Sequence, residues 1–247
     1  CSAKVLLEEH RQCPVTILIQ DNVLRSPEQI CRHIREAWYP RNLFYRQGGV
    51  SMDKEYVKIY SPGCGAPLKI MNGHFATNHA HINYYIDMST MKTRLSEAQE
   101  AAKGLAGISL YDTPVDTIVC LEGTEVIGAF LAEELTRAGV LSVNAHKTMY
   151  IVTPEYNSNS QMMFKENVLP MIQGKNIGLL MASVTTVLTV NKGIEALQYY
   201  GGILRGITSI FSAIEKIDNY RIISLFGKDS IKDYGYYDYH RCPMCAA

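Results

Sequence analysis

The chain has 247 residues, of which 47% are hydrophobic and 19% are charged. This is the composition of an ordinary globular protein, and it excludes a disordered, collagen-like or coiled-coil chain. The 24 Lys and Arg residues balance the 24 Asp and Glu residues, so the formal net charge is zero. Because nucleic acids and anionic membranes select basic surfaces, we expect neither as a partner.

Cysteine usage and hydropathy indicate the compartment. Seven cysteines at irregular spacings, in a chain large enough to build its own core, predict reduced thiols and a cytoplasmic protein. The sequence starts at Cys1 rather than at Met, so we expect a processed or trimmed start, and no signal segment supports a lipid anchor there. The most apolar stretch, residues 177–190, is shorter than the ~20 apolar residues of a spanning helix.

The first part of the chain is mixed. Ser26 and Pro27 are typical of a helix start, and the predicted helix runs through Trp38 until Pro40 ends it. Glycines and prolines make residues 58–68 rich in turns. The β-branched and aromatic residues of 81–88 then predict a strand, and apolar residues at helical spacing predict a helix over 92–105.

From Asp116 onward, strands and helices alternate. The predicted strands are residues 116–121, 148–152, 176–184, 204–211 and 221–226. A turn at 122–124 leads into a helix over 126–135, and the helix after the third strand ends at Gly201-Gly202. Continuously apolar strands separated by helices indicate a parallel sheet that is buried on both faces. The predicted fold class is therefore α/β, with a central parallel sheet flanked by helices.

In such sheets, ligands bind beyond the carboxyl ends of the strands. Two loops lie there, residues 120–125 (CLEGTE) and residues 183–189 (SVTTVLT). The second places Thr185, Thr186 and Thr189 at the start of a helix, where hydroxyls, unpaired backbone amides and the helix dipole together favour a phosphate. The alternative is that these threonines only cap the helix.

The order of these motifs resembles the type I phosphoribosyltransferases. Residues 177–189 look like that family's 5′-phosphate motif, and residues 119–128 look like its pyrophosphate loop. Residues 73–87 are similar to the N-terminal substrate segment of orotate phosphoribosyltransferases. The resemblance implies transfer of phosphoribose from phosphoribosyl pyrophosphate (PRPP) to orotate or a related base, with release of pyrophosphate. It also implies Mg²⁺ chelated by the pyrophosphate, and a homodimer.

The resemblance further implies three regions and a set of site residues. The regions are an N-terminal hood or substrate subdomain (1–90), an α/β core (91–228) and a tyrosine-rich tail (229–247). The 5′-phosphate would be held by Thr185, Thr186, Val187, Leu188 and Thr189. The pyrophosphate would be held by Glu122, Gly123, Thr124 and Glu125. The base would lie near His79, His81, Asn83 and Tyr84, and the catalytic loop would contribute Glu155, Asn157 and Asn159.

The sequence departs from the family pattern at three points. The two acids that accept hydrogen bonds from the ribose hydroxyls align with Met181 and Ala182, and a glycine of the phosphate loop aligns with Val187. The stretch 152–161, where a mobile loop with a cation is expected, contains no cation. Losing two acceptors, each worth roughly 1.5–3 kcal/mol, costs on the order of a hundred- to ten-thousandfold in affinity. The alternative function is therefore a catalytically silent nucleotide- or PRPP-binding regulatory protein.

Two histidines near the predicted base leave their role open. His79 and His81 lie two residues apart, so on an extended segment they face the same side. They would donate to an anionic base such as orotate, form half of a metal site, or belong to an exposed polar loop. Tyr84 and Tyr85 would either stack on the base or pack in the core.

The end of the chain contains a Cys-x-x-Cys pair, Cys242 and Cys245. A structural zinc ion needs four ligands, and a second pair does not follow in sequence. The candidates to complete a site in space are Cys13, Cys31, Cys64 and His240. We favour an unpaired tail and assign no metal ligand.

Overall fold

A computed structural model describes residues 16–17, 56–76, 80–109, 112–137, 142–145, 147–159 and 161–246. The helix predicted after Ser26 lies outside these residues. The chain forms two compact units. One, here the small unit, contains Met71–Tyr85 and Tyr234–Ala247; the other, the core unit, contains Tyr56–Ile70 and Ile86–Asp233. No helix within the described ranges is long and apolar enough to cross a membrane.

The described residues form strands and helices in the following order. The strands are β1 (Thr16–Ile17), β2 (Val57–Ser61), β3 (Cys64–Ala76), β4 (His81–Asp87), β5 (Thr117–Cys120), β6 (Tyr150–Val152), β7 (Glu155–Tyr156), β8 (Met162–Met163), β9 (Asn176–Val184), β10 (Ile203–Ser212), β11 (Lys216–Ile217), β12 (Tyr220–Gly227) and β13 (Tyr236–Tyr237). The α-helices are α1 (Ser89–Thr93), α2 (Leu95–Ser109), α3 (Glu125–Arg137), α4 (Val187–Tyr199) and α5 (Pro243–Ala246).

The core unit is built on a six-stranded sheet in the order β11-β12-β10-β9-β5-β6. All neighbouring pairs are parallel except β11 with β12, which is antiparallel at the edge. The five strands predicted from Asp116 onward are confirmed, and β9 has the predicted bounds at both ends. The α/β fold class is therefore confirmed.

Helices cover both faces of this sheet. Successive residues of a strand point to opposite faces, so each central strand packs side chains against helices on both sides. Leu179 of β9 faces α4, where a Cβ added at Gly193 would lie 3.3 Å from the Leu179 side chain. On the other face, a Cβ added at Gly128 of α3 would lie 2.4 Å from the Cys120 Sγ. Gly128 is therefore what allows α3 to approach the sheet so closely.

The predicted turn-rich segment near residue 60 is a hairpin in the core unit. Strand β2 pairs antiparallel with β3, with Ile59 opposite Leu68. Gly63 adopts a φ of 81° at the turn, a conformation that glycine reaches without steric cost. The turn prediction is confirmed, and the flanking residues extend into strands.

In the small unit, the end of β3 neighbours β4, and β4 pairs with the C-terminal part of the chain. The strand predicted over 81–88 is confirmed as β4. Strand β13 lies antiparallel to β4, with Tyr236 opposite Ile82 and Tyr237 opposite His81. The Asn83 Oδ1 accepts a hydrogen bond from the Gly235 backbone amide at 2.7 Å. The tyrosine-rich tail is thus held to β4 by strand pairing.

The amino ends of β5 and β9 are joined by a carboxylate. The backbone and side-chain amides of Asn176 donate to Asp116 Oδ2 at 2.9 and 2.7 Å, and the Lys147 ammonium lies 3.8 Å from Oδ1. Partial burial opposes ionisation of Asp116, but these hydrogen bonds and the nearby lysines outweigh it and lower its pKa below the ordinary 3.8. The ionised carboxylate therefore stabilises the fold at neutral pH.

We expect Asp116→Asn to lower the free energy of unfolding by about 1–3 kcal/mol at neutral pH. Because the pKa is depressed in the folded state, this contribution is present above the ordinary pKa and is lost as pH falls through the folded-state value. The difference between wild type and variant should therefore shrink below pH 3.8. Urea unfolding at neutral and acidic pH measures it, with the exposed Asp112→Asn as control. If wild type and Asp116→Asn differed in free energy of unfolding by the same amount at both pH values, the charge of Asp116 would not be what stabilises the fold.

Candidate phosphate-binding site

The order of strands places a candidate site at the carboxyl ends of β5 and β9. Strand β5 has β6, the next strand along the chain, on one side and the later strand β9 on the other side. Such a change of direction leaves a crevice between the two loops that follow the central strands, where ligands of open α/β sheets bind. The two predicted phosphate loops are the loops at this point.

The loop after β5 has an unusual backbone. Glu122 and Gly123 both adopt positive φ, 58° and 77°. For a residue with a side chain this conformation is uncommon, and such residues cluster at functional sites. Thr124 is fully buried, and its Oγ1 lies 2.9 Å from the Leu121 carbonyl and 3.3 Å from the Leu180 carbonyl. The predicted turn at 122–124 is confirmed, and Thr124 anchors it to β9.

The Glu122 side chain reaches the end of β9. One carboxylate oxygen accepts a hydrogen bond from the Ser183 backbone amide at 3.0 Å. The Lys92 ammonium donates to the Glu122 carbonyl at 2.9 Å. A carboxylate and an ammonium group thus both lie at this loop. Sequence reasoning missed Lys92 because it precedes the loop by thirty residues and no local motif marks it.

Two other side chains border the same loop. The Glu125 carboxylate, at the start of α3, accepts a hydrogen bond from the Thr153 hydroxyl at 3.3 Å. Burial, with a smaller contribution from Glu125, raises the pKa of Cys120 to about 12. The Cys120 thiol therefore stays protonated at neutral pH and does not act as a nucleophile.

The loop after β9 leads directly into α4. Thr186 is the N-cap residue, in an extended conformation, and its side chain makes no capping hydrogen bond. Its hydroxyl lies 3.4 Å from the Thr189 hydroxyl instead. The alternative that Thr186 only caps the helix is therefore not what the structure shows. The first-turn amides, the two hydroxyls and the helix dipole form an arrangement suited to a phosphate.

Apolar residues precede and follow these threonines in sequence. Val187 and Leu188, in the first turn of α4, are about half exposed, at 47% and 51%. Met181 and Ala182, which we align with the two acids of the motif that the chain resembles, are 0% and 5% exposed. The Glu122 carboxylate is hydrogen-bonded at the end of β9.

The predicted catalytic loop is a hairpin. Strand β7 pairs antiparallel with β8, so Glu155 lies opposite Met163. At the turn, the Asn157 Oδ1 accepts hydrogen bonds from the backbone amides of Asn159 and Gln161, each at 2.9 Å. Asn side chains order turns in this way. The Lys165 ammonium, after β8, lies 2.6 Å from the Glu155 carboxylate, so a cation lies beside this hairpin.

The residues predicted near the base belong to the small unit, apart from His79, which lies outside the described residues. Asn83 pairs β4 with Gly235, and Tyr84 is half-buried on the same strand. The His81 Nδ1 lies 3.1 Å from the His74 Nε2. Partial burial lowers the pKa of both imidazoles. Base binding by these residues stays a prediction, as do the catalytic roles of Glu155, Asn157 and Asn159.

Comparison with known proteins finds similarity among solved structures. The chain is similar to the orotate phosphoribosyltransferase of Mycobacterium tuberculosis H37Rv, at 13% identity and a TM-score of 0.46 over 66% of this chain and 91% of that chain. It is similar to the UMP synthase of Leishmania donovani, at 15% identity and a TM-score of 0.49 over 65% of this chain and 34% of that chain.

An adenine phosphoribosyltransferase from Thermoanaerobacter pseudethanolicus is similar at 18% identity and a TM-score of 0.44, over 58% of this chain and 88% of that chain. No protein-family model matches the sequence, and no curated protein matches it. The activities named here are those of the matched proteins.

Proposed function

We propose that the chain is a phosphoribosyltransferase, which binds PRPP at the carboxyl ends of β5 and β9 and transfers phosphoribose to orotate or a related base. One observation supports the proposal: the two loops that the sequence predicts to hold the phosphates follow neighbouring strands where the strand order changes direction, and the hydrogen bond between Glu122 and Ser183 joins them. A substrate with a phosphate at one end and a pyrophosphate at the other fits such a pair of loops.

The 5′-phosphate would be held at the start of α4. The hydroxyls of Thr185, Thr186 and Thr189 are the predicted donors, and the first-turn amides add to them. That Thr186 does not cap its own helix supports this role. The half-exposed Val187 and Leu188 would border the phosphate through their backbone amides, because their side chains offer no hydrogen bond.

The pyrophosphate would lie against the loop after β5. Gly123 lets the backbone approach the ligand closely, and the Lys92 ammonium supplies a positive charge at the same turn. The carboxylate oxygens of Glu122 and Glu125 are the hard ligands that Mg²⁺ prefers, so they fit a Mg²⁺ ion carried by the pyrophosphate. When bound, that ion would neutralise charge on the leaving group.

The ribose hydroxyls need acceptors that β9 does not provide. Glu122 is the proposed substitute, since its carboxylate lies at the Ser183 amide, next to the buried Ala182. For the base we propose His79, Asn83 and Tyr84, and for closure over the pyrophosphate the hairpin of Glu155, Asn157 and Asn159. Lys165, paired with Glu155, would bring a cation with this hairpin.

A second candidate function is binding without turnover. It is favoured by Met181, a fully buried apolar residue at the position where we align an acid that would accept hydrogen bonds from the ribose. In that case the same two loops would hold PRPP or a finished nucleotide as a regulatory ligand. The two functions make different predictions for pyrophosphate release.

The test is pyrophosphate release from PRPP and Mg²⁺ with orotate and a panel of other bases, alongside the melting temperature. We expect base-dependent release and a rise in melting temperature with PRPP and Mg²⁺. Lys92→Met should weaken PRPP binding by about tenfold or more, because it removes a charge-assisted contact worth roughly 1.5–3 kcal/mol. Lys103→Met, on the exposed surface of α2, is the matched control.

The outcomes separate the two candidates. Stabilisation by PRPP without release, for any base, would favour the regulatory protein over the transferase. A melting temperature that neither PRPP nor a nucleotide changes, in a well-folded sample, would overturn both.

A further inference from the structure

Four metal-ligating side chains converge in the small unit, in a cluster that the proposed transferase activity does not use. They are His74 of β3, His81 of β4, Cys242, and Cys245 of α5. Their ligand atoms, two imidazole nitrogens and two thiol sulfurs, all lie within 4.8 Å of one another. We propose that this cluster binds one Zn²⁺ ion in a closed tetrahedral Cys₂His₂ site.

Four of the six distances between the ligand atoms are close to those in a tetrahedral zinc site, and all six are within 4.8 Å. The His74 Nε2 lies 3.1 Å from the His81 Nδ1, and both sulfurs lie 3.5 Å from the His74 Nε2. The Cys245 Sγ lies 3.1 Å from the His81 Nδ1. Zinc bonds of the usual lengths at tetrahedral angles separate two nitrogens by about 3.3 Å and a nitrogen from a sulfur by about 3.5 Å.

Hydrogen bonding within the cluster does not account for this convergence. The His74 Nε2 has three close neighbours, the His81 nitrogen and both sulfurs. An imidazole nitrogen carries either one hydrogen or one lone pair, so it makes one good hydrogen bond and not three. A cation at the centre accepts a lone pair from all four atoms at once.

The fold explains how residues distant in sequence meet. His74 and His81 lie on successive strands of one sheet, and β13 pairs with β4 so that Tyr237 lies opposite His81. This pairing brings the end of the chain alongside the histidines. The Cys245 amide then donates to the Cys242 carbonyl at 3.2 Å, a turn that puts both sulfurs on one side.

The site is structural in type. Four protein ligands complete the tetrahedron and leave no position for water or substrate. Two ligands are partly buried, Cys242 is buried and Cys245 is exposed, so an ion can enter from solvent. The ion would fasten the C-terminal segment to β3 and β4. In the proposed zinc site, His81 is a metal ligand and does not contact the orotate-like base.

The proposed site replaces the expectation of an unpaired tail. Of the ligands suggested from sequence, Cys13 and Cys31 lie outside the described residues, and the cluster contains neither Cys64 nor His240. His74 was not a candidate, because nothing in the sequence connects it to a pair of cysteines about 170 residues later.

The first experiment measures metal in the full chain, purified without chelator, by plasma mass spectrometry. We expect one zinc ion per chain. Cys242→Ser and His74→Ala should each lower the zinc content by about tenfold or more, whereas His240→Ala and Cys64→Ser should keep it. Co²⁺ in place of Zn²⁺ should give the intense visible absorption of tetrahedral thiolate coordination.

A second measurement uses only the wild-type chain, so it holds even if the variants fail to fold. Cys242 and Cys245 should resist alkylation with zinc present and react once a chelator is added, as read by mass spectrometry of each site. Three results would overturn the proposal: a chain without zinc that also fails to take up added Zn²⁺, a Cys242–Cys245 disulfide that persists in protein purified with a reductant, or one equivalent of iron instead of zinc.

Discussion

We expect Met181→Asp to unfold the protein, even though the motif that the chain resembles has an acid at the position we align with Met181. Met181 is 0% exposed and belongs to the apolar cluster around Leu179 and Val190. A carboxylate introduced there has no described partner to pair with its charge in that cluster, and burying it costs about 4 kcal/mol or more. That is a large fraction of the roughly 5–15 kcal/mol by which a domain is stable.

Circular dichroism and urea unfolding measure the effect, and Met181→Leu is the matched control. Leucine keeps the volume and the apolar character, so it should cost less than about 1.5 kcal/mol. A folded Met181→Asp variant that binds PRPP more tightly than wild type would show that this position faces the ligand, and it would contradict the burial argument.

Valine at both Thr185 and Thr186 weakens PRPP binding by roughly a hundred- to ten-thousandfold. Each hydroxyl donated to a charged phosphate contributes roughly 1.5–3 kcal/mol, and valine has nearly the same shape without the donor. Stability should change little, because Thr186 makes no capping hydrogen bond in the free protein. Calorimetric titration with PRPP and Mg²⁺ measures the affinity.

Thr136→Val is the control for this pair. Thr136 lies near the C-terminal end of α3 and donates to the Ala132 carbonyl of its own helix, so its loss should leave PRPP binding unchanged. Wild-type affinity in the double variant would show that the start of α4 does not hold the phosphate. Equal losses in the control and the double variant would point to a general effect on folding.

Local sequence pattern was sufficient for the main elements of the core. Strand β9 has the bounds that its run of apolar residues predicts, because a strand covered by helices on both faces needs apolar side chains on both. The turn at Glu122 and Gly123 was also predicted, because it lies between a strand and a helix that are both strongly patterned. The hairpin at Glu155 was not, since its two strands are only two residues long and its turn depends on one Asn157 side chain.

The sequence by itself therefore determined the α/β core and the two loops at the carboxyl ends of its strands, since both follow from periodicity within short segments. Only the tertiary structure decided which charged groups meet there. Lys92 reaches the Glu122 carbonyl, and the Glu122 carboxylate reaches the Ser183 amide 61 residues later. The four proposed zinc ligands are the extreme case, because strand pairing between β4 and β13 joins parts of the chain that share no local pattern.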